Sequence, residues 1–366
     1  MNALDLRPYG LHLTLTPDTD VRTLGLEVLS PARRYRANTL SKYTGFIVGG
    51  VHYIARKKVK SGAFGTIYKV EHKGKFYACK IAHSLANSGE VQFFLYETLI
   101  HILLLQASMG EANGPYVPYL YKTGYDKQAH KTYVITEWMS HTLEEDVISH
   151  SKDENDERLP LLLAQIAHVL AFFGRTLQFN HRDLHTGNVM VATHLQRVVL
   201  IDFGYSCLTW HGLTLRGPTI YNSAANPCYK PDRDMPFLCM LLYREYHTIS
   251  DALKRRIGAM LGATIHTGNK GNVSCDLGAL CPEHKLAKLT NRYEFLDRAD
   301  VQVPSGTSER VERLFRDYKP PKNTRKQTQT SMQKFMSTMF GGKTRRNHAR
   351  PKFPTNREVR VIRPGA

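Results

Sequence analysis

His181-Arg182-Asp183-Leu184-His185-Thr186-Gly187-Asn188, followed after the apolar run Val198-Val199-Leu200-Ile201 by Asp202-Phe203-Gly204, is the stretch on which the reading of this 366-residue chain turns. The apolar run reads as a buried strand that delivers Asp202 to its end. Two carboxylates and an amide are thereby gathered, oxygen groups able to orient a hydroxyl and to hold hard cations. An isolated His-Arg-Asp arises often by chance. The fixed interval to Asn188, the strand and the Asp-Phe-Gly are jointly improbable, so the block reads as a site rather than as an ordinary loop beside a strand.

The upstream half carries three further features. Ser61-Gly62-Ala63-Phe64-Gly65-Thr66-Ile67 is a glycine-containing turn between strands, in which Gly62 and Gly65 let backbone N–H groups approach a phosphate and Phe64 covers it. Lys60 stands where a first glycine would extend the pattern, and the turn alone would read equally well as a plain hairpin. The next strand, Phe76-Tyr77-Ala78-Cys79-Lys80-Ile81, places Lys80 between apolar neighbours. From about residue 87 to residue 105 apolar residues recur at helical spacing. Two glutamates on this helix compete for Lys80. Glu90 belongs to the first turn, where the helix dipole favours a carboxylate. Glu97 lies on an apolar face, where an unpaired carboxylate would be costly, and is preferred as the partner.

Taken together these residues resemble the eukaryotic protein-kinase superfamily, over residues 53 to 318. The resemblance implies an α+β, two-lobed fold: a small antiparallel-sheet N-lobe at 51–137 and a helical C-lobe at 138–318, flanked by an N-terminal extension, 1–50, and a tail, 319–366. It implies that ATP and Mg2+ (or Mn2+) are used, that Lys80, held by Glu97, binds the α- and β-phosphates, that Asp183 orients the attacking hydroxyl, and that Asn188 and Asp202 bind the metal. Tyr133-Val134-Ile135-Thr136-Glu137-Trp138-Met139 resembles the last small-lobe strand and hinge, with backbone at Glu137 and Met139 facing adenine beside Ile67 and Ala78. Asp234, at the head of an apolar helix, resembles the residue that braces the catalytic loop.

Departures from the pattern are equally specific. His185 stands where most Ser/Thr kinases carry Lys, as in haspin and a number of large DNA virus kinases; an imidazole is a weaker, pH-dependent substitute for an ammonium beside phosphate. No Ala-Pro-Glu follows Gly204. Small-molecule phosphotransferases use similar loops and are the leading rival; Arg182, the full Asp-Phe-Gly and the Lys80/Glu97 pair favour transfer to protein. The absence of Arg between Leu184 and Gly187 favours Ser/Thr over Tyr acceptors. A catalytically weak scaffold is the third reading.

Composition fits an enzyme with a sizeable core: 42% hydrophobic and 22% charged residues. Six cysteines are scattered, and Met1-Asn2-Ala3-Leu4-Asp5 carries no secretory leader, so reduced thiols and an intracellular protein are expected, to which the resemblance to large DNA virus kinases adds a virus-encoded origin. The longest apolar stretch, 159–174, is read as too short for a membrane span and as the buried helix before the catalytic loop. His266, Cys275, Cys281 and His284 match no common zinc spacing and read as loop or core residues. The tail holds thirteen Lys/Arg against Glu358 alone, a net of +12 out of +18 for the chain, with few core-forming residues. That composition predicts a disordered segment able to meet nucleic acid or chromatin.

Overall fold

A computed structural model describes residues 3–36, 44–62, 65–82, 88–112, 114–192, 197–216, 234–260, 264–267 and 273–276. Its strands are β1 (Leu4–Asp5), β2 (Thr14–Leu15), β3 (Ala32–Arg36), β4 (Thr44–Val48), β5 (Val51–Gly62), β6 (Gly65–His72), β7 (Lys75–Ala82), β8 (Leu120–Asp126), β9 (Lys131–Glu137), β10 (His141–Thr142), β11 (Val189–Ala192), β12 (Arg197–Leu200), β13 (Cys207–Trp210), β14 (Leu213–Arg216), β15 (Thr264–Thr267) and β16 (Val273–Asp276). The helices are α1 (Ser88–Ser108), α2 (Leu143–Ser149), α3 (Lys152–Leu177), α4 (Asp234–Glu245) and α5 (Asp251–Met260).

Alternating apolar residues build the first half. Phe46 and Val48, Cys79 and Ile81, Tyr133 and Ile135 stand two apart on their strands, so each pair points to one face, and all six are buried in a single cluster with Ala32, Tyr53 and Val70. The strands form one antiparallel sheet in the order β3-β4-β5-β6-β7-β9-β8. The sheet curls until its ends meet: Tyr125 donates its N–H to the Ser30 carbonyl at 2.8 Å, just ahead of β3. Gly124 makes this closure possible, because a Cβ there would press on Ala32, Ser30 and Val48. Residues 1–50, set apart in the sequence, thus supply two strands of this sheet.

The second half is helical, with small strand pairs between helices. α2 and α3 each begin with a capping box, Thr142/Glu145 and Ser151/Glu154, in which hydroxyl and carboxylate satisfy each other's backbone N–H groups. By length and composition α1 and α3 are apolar enough to cross a bilayer, which corrects the expectation that no segment is long enough. Most of that apolar surface is instead buried, α3 contributing Leu163, Ile166, Leu170 and Phe173 to the main core together with Leu99 and Ile102 of α1. The loop between α3 and β11 and the chain after β12 form the site.

Candidate active site

Lys80 lies in the middle of β7, between Ile67 of β6 and Val134 of β9, so its backbone is fixed on both sides. Its ammonium is 2.5 Å from Glu97 Oε1 and 3.5 Å from Asp202 Oδ1. Burial alone would pull the Lys80 pKa down; Glu97 and then Asp202 outweigh it and hold the ammonium above the usual lysine range. Lys80 in turn depresses the Asp202 carboxyl below its ordinary value, against burial. Burial pushes Glu97 upward and Lys80 opposes it; at 2.5 Å the attraction leaves the pair charged. Glu90 lies exposed in the first turn of α1.

The loop 180–188 is tied both within itself and to later chain: Asn180 pairs in both directions with Cys207, the Ser206 hydroxyl donates to the His181 carbonyl, and the Thr186 hydroxyl meets that of Tyr246 at 2.5 Å. Asn188 donates its side-chain N–H to the Asp183 carbonyl at 2.8 Å and its backbone N–H to the His185 carbonyl at 2.9 Å. The buried His181 ring donates through Nε2 to the Ile201 carbonyl at 2.9 Å and accepts the Asp183 N–H at Nδ1 at 3.3 Å, and burial lowers its pKa, so the neutral ring bonded in both directions is the form present. Arg182 and Asp202 both have φ of 65°, a left-handed conformation that is strained for non-glycine residues. The buried Asp234 carboxylate at the start of α4 counters that strain, accepting the N–H of His181 at 2.7 Å and of Arg182 at 2.8 Å.

His185 does more than stand near phosphate. Its Nδ1 accepts the Gly187 N–H at 3.1 Å, capping the short turn Thr186–Asn188, while Nε2 lies 4.0 Å from Asp183 Oδ2. Protonation at Nδ1 would cost the cap. With Nδ1 engaged as an acceptor, Nε2–H is the donor the ring can offer.

After Asp202 the chain turns inward. The buried Phe203 ring lies 5.2 Å from His101 of α1, 5.6 Å from His181 and 6.3 Å from Phe179. His101, one helical turn beyond Glu97, bonds the Pro118 carbonyl through Nε2 at 2.8 Å, and burial lowers its pKa to about 4, which makes the neutral ring the donor. Gly204 lies against the Phe93 ring, which would have to shift to admit a Cβ there. Cys207, in β13, is disulfide-bonded, against the expectation of reduced thiols, whereas Cys79 and Cys239 are free and buried.

Of the nucleotide-facing residues anticipated, Gly65 is pressed against the Ile81 carbonyl, which leaves no room for a side chain, and Gly62 faces open space. Met139 is buried with Met190, Ala192 and Val199 below the end of β9. The Glu137 side chain is held by a two-oxygen ion pair with Arg197 of β12, at 2.8 and 2.9 Å, a contact that sequence reasoning did not foresee. His101 was also missed, although its position four residues after Glu97 puts it on the same helix face. Phe64, Cys281, His284 and the tail 319–366 lie outside the described residues, and among those described no cluster of three His, Cys, Asp or Glu could hold a metal ion.

A strand lysine paired to a helix glutamate, above a loop that carries Asp and Asn and opposite an Asp-Phe-Gly, defines the class: the chain carries a protein kinase domain. Residues 42–223 match the protein kinase domain family. A protein of fowlpox virus (strain NVSL), described as a probable serine/threonine-protein kinase, is 26% identical over 160 residues, which is 42% of this chain and 52% of that relative. The chain therefore spans about half the length of the curated relative it matches.

Proposed function

We propose that this chain transfers the γ-phosphoryl group of ATP to Ser or Thr hydroxyls of proteins. The observation that carries the reading is the convergence of Lys80, Glu97 and Asp202 into one ion-pair cluster beside the loop of Asp183 and Asn188. Lys80 holds the α- and β-phosphates, and Glu97 keeps it in place. Asp183 orients the acceptor hydroxyl and takes its proton as the oxygen attacks the γ-phosphorus; the bond to the β-phosphate oxygen breaks and ADP leaves. His185 adds an Nε2–H donor next to Asp183. Gly62, Gly65, Ile67, Ala78 and the backbone of Glu137 and Met139 enclose the nucleotide.

Asn188 and Asp202 suit Mg2+ or Mn2+. Both present oxygen to a hard cation, and with the Asn188 amide nitrogen bonded to the Asp183 carbonyl, its oxygen is the atom left for a ligand. The bound metal would offset triphosphate charge.

The test is to incubate the purified chain with γ-labelled ATP and Mg2+ or Mn2+, once with a protein mixture and once with hydroxylated metabolites. Label on Ser and Thr of protein is expected. Label confined to metabolites would replace the proposal with a small-molecule kinase, and no label anywhere, the chain itself included, would leave only a nucleotide-binding or scaffolding role.

A further inference from the structure

Helix α1 carries buried apolar residues on more than one face, so it needs cover on the side away from Lys80 as well. Phe93, Glu97 and His101 recur every four residues and face Gly204, Lys80 and Phe203. Gln92, Leu95, Leu99, Ile102 and Gln106 lie about half a turn away, on the back of the helix. That back is occupied by residues 3–30. Gln92 donates its amide N–H groups to the carbonyls of Arg22, at 3.1 Å, and Leu24, at 2.8 Å. At the other end of the helix, about 21 Å away by the rise of fourteen residues, Gln106 bonds the Tyr9 hydroxyl. Between these two pins Leu6, Leu11, Leu15 and Val21 join Leu95, Leu99 and Ile102 in one buried core.

The same segment is fastened to the sheet. Thr123 Oγ1 donates to the Tyr9 carbonyl at 2.9 Å and Lys122 Nζ to the Pro8 carbonyl at 3.0 Å. Gly10, at φ 86°, sits so close to the Thr123 backbone that a Cβ would collide with it. Lys80 belongs to that sheet and Glu97 to the helix, so a brace bonded to both fixes the distance across their ion pair.

We infer that residues 3–30 are a built-in brace that holds α1 inward and keeps the Lys80–Glu97 pair closed without an outside partner, with Gln92 as a positioning residue acting through Glu97. The inference rests on the phosphotransfer reading for its effect on rate, but the position of the helix can be read without turnover. The experiment uses the full chain carrying Gln92→Ala, Glu97→Gln or both, with Ser151→Ala at the distant α3 cap as a stability control. Gln92→Ala is expected to lower kcat about five- to tenfold, the worth of one or two neutral hydrogen bonds, with the KM for the acceptor unchanged. In the Glu97→Gln background the same change should alter kcat less than twofold, and Ser151→Ala should leave kcat alone. Amide hydrogen exchange across residues 89–101 should quicken in Gln92→Ala whether or not the protein turns over. Unchanged exchange, or equal loss of kcat in both backgrounds, would overturn the brace; a wild-type chain that transfers no phosphate would overturn the phosphotransfer reading and leave the exchange result to decide the brace.

Discussion

The loop 180–188 and helix α1 both aim charged groups at the same cleft, but they are held there differently. The loop combines short ties, His181 to Asp183, His185 to Gly187, and Asn188 to both Asp183 and His185, with individual hydrogen bonds to later chain at Ile201, Cys207, Asp234 and Tyr246. Helix α1 takes its position from partners far away in sequence, namely Arg22 and Leu24 behind it, Pro118 beside it and Phe203 in front. A loop held by individual hydrogen bonds fails when one of its partners is removed. A helix held by remote packing should lose position gradually, as each support goes.

The largest effect should come from cutting the loop's anchor on Asp234, which alone takes two of its backbone N–H groups. Asp234→Ala strips the acceptor from two backbone N–H groups beside the strained Arg182, so a loss of about 2–4 kcal/mol in denaturant unfolding and at least a hundredfold drop in kcat are expected. Near-normal kcat would mean that the loop holds itself without α4.

Acid should come next, because it strikes the histidines at both ends of Phe203. His101 and His181 have folded-state pKa values lowered by burial, His101 to about 4, so below about pH 6.5 the unfolded chain takes up protons that the folded chain refuses. Stability should therefore fall as pH drops from 7 to 5, with His101 contributing about 2 kcal/mol of the loss. Asp202, whose pKa is depressed, stays ionised throughout that window and adds nothing to the slope there. Denaturant midpoints at the two pH values should converge in His101→Gln, which keeps a donor for Pro118; an unchanged slope would show that the ring is not shielded as described.

A smaller effect is expected at the join between the two halves. Arg197→Met leaves the Glu137 carboxylate without its two-oxygen partner at the end of β9, and the KM for ATP should rise about three- to tenfold while the KM for the acceptor holds. A fall in melting temperature with unchanged KM would make the pair a packing contact only.

These differences also explain what the sequence could reveal. Asp183 and Asn188 were legible because their spacing reflects a local hydrogen-bond pattern, Asp202 because an apolar strand runs up to it, and Glu97 because helix geometry makes a lone carboxylate on an apolar face conspicuous. Arg197 was not, since nothing near it in the chain announces that its partner is Glu137. The role of the first fifty residues stayed hidden for the same reason: Leu6, Leu11 and Leu15 acquire meaning only against Leu95 and Leu99, and Gly124 only when β3 closes on β8.

The most direct measurement compares wild type with Asp183→Asn for transfer of label from γ-labelled ATP to protein and, in parallel, for binding of ATP with Mg2+. Asp183 orients the hydroxyl in this account and makes none of the phosphate contacts assigned to Lys80. Transfer should therefore fall by at least about a hundred- to ten-thousandfold while nucleotide affinity stays within about threefold. Equal transfer by the two proteins would contradict the assignment of the site.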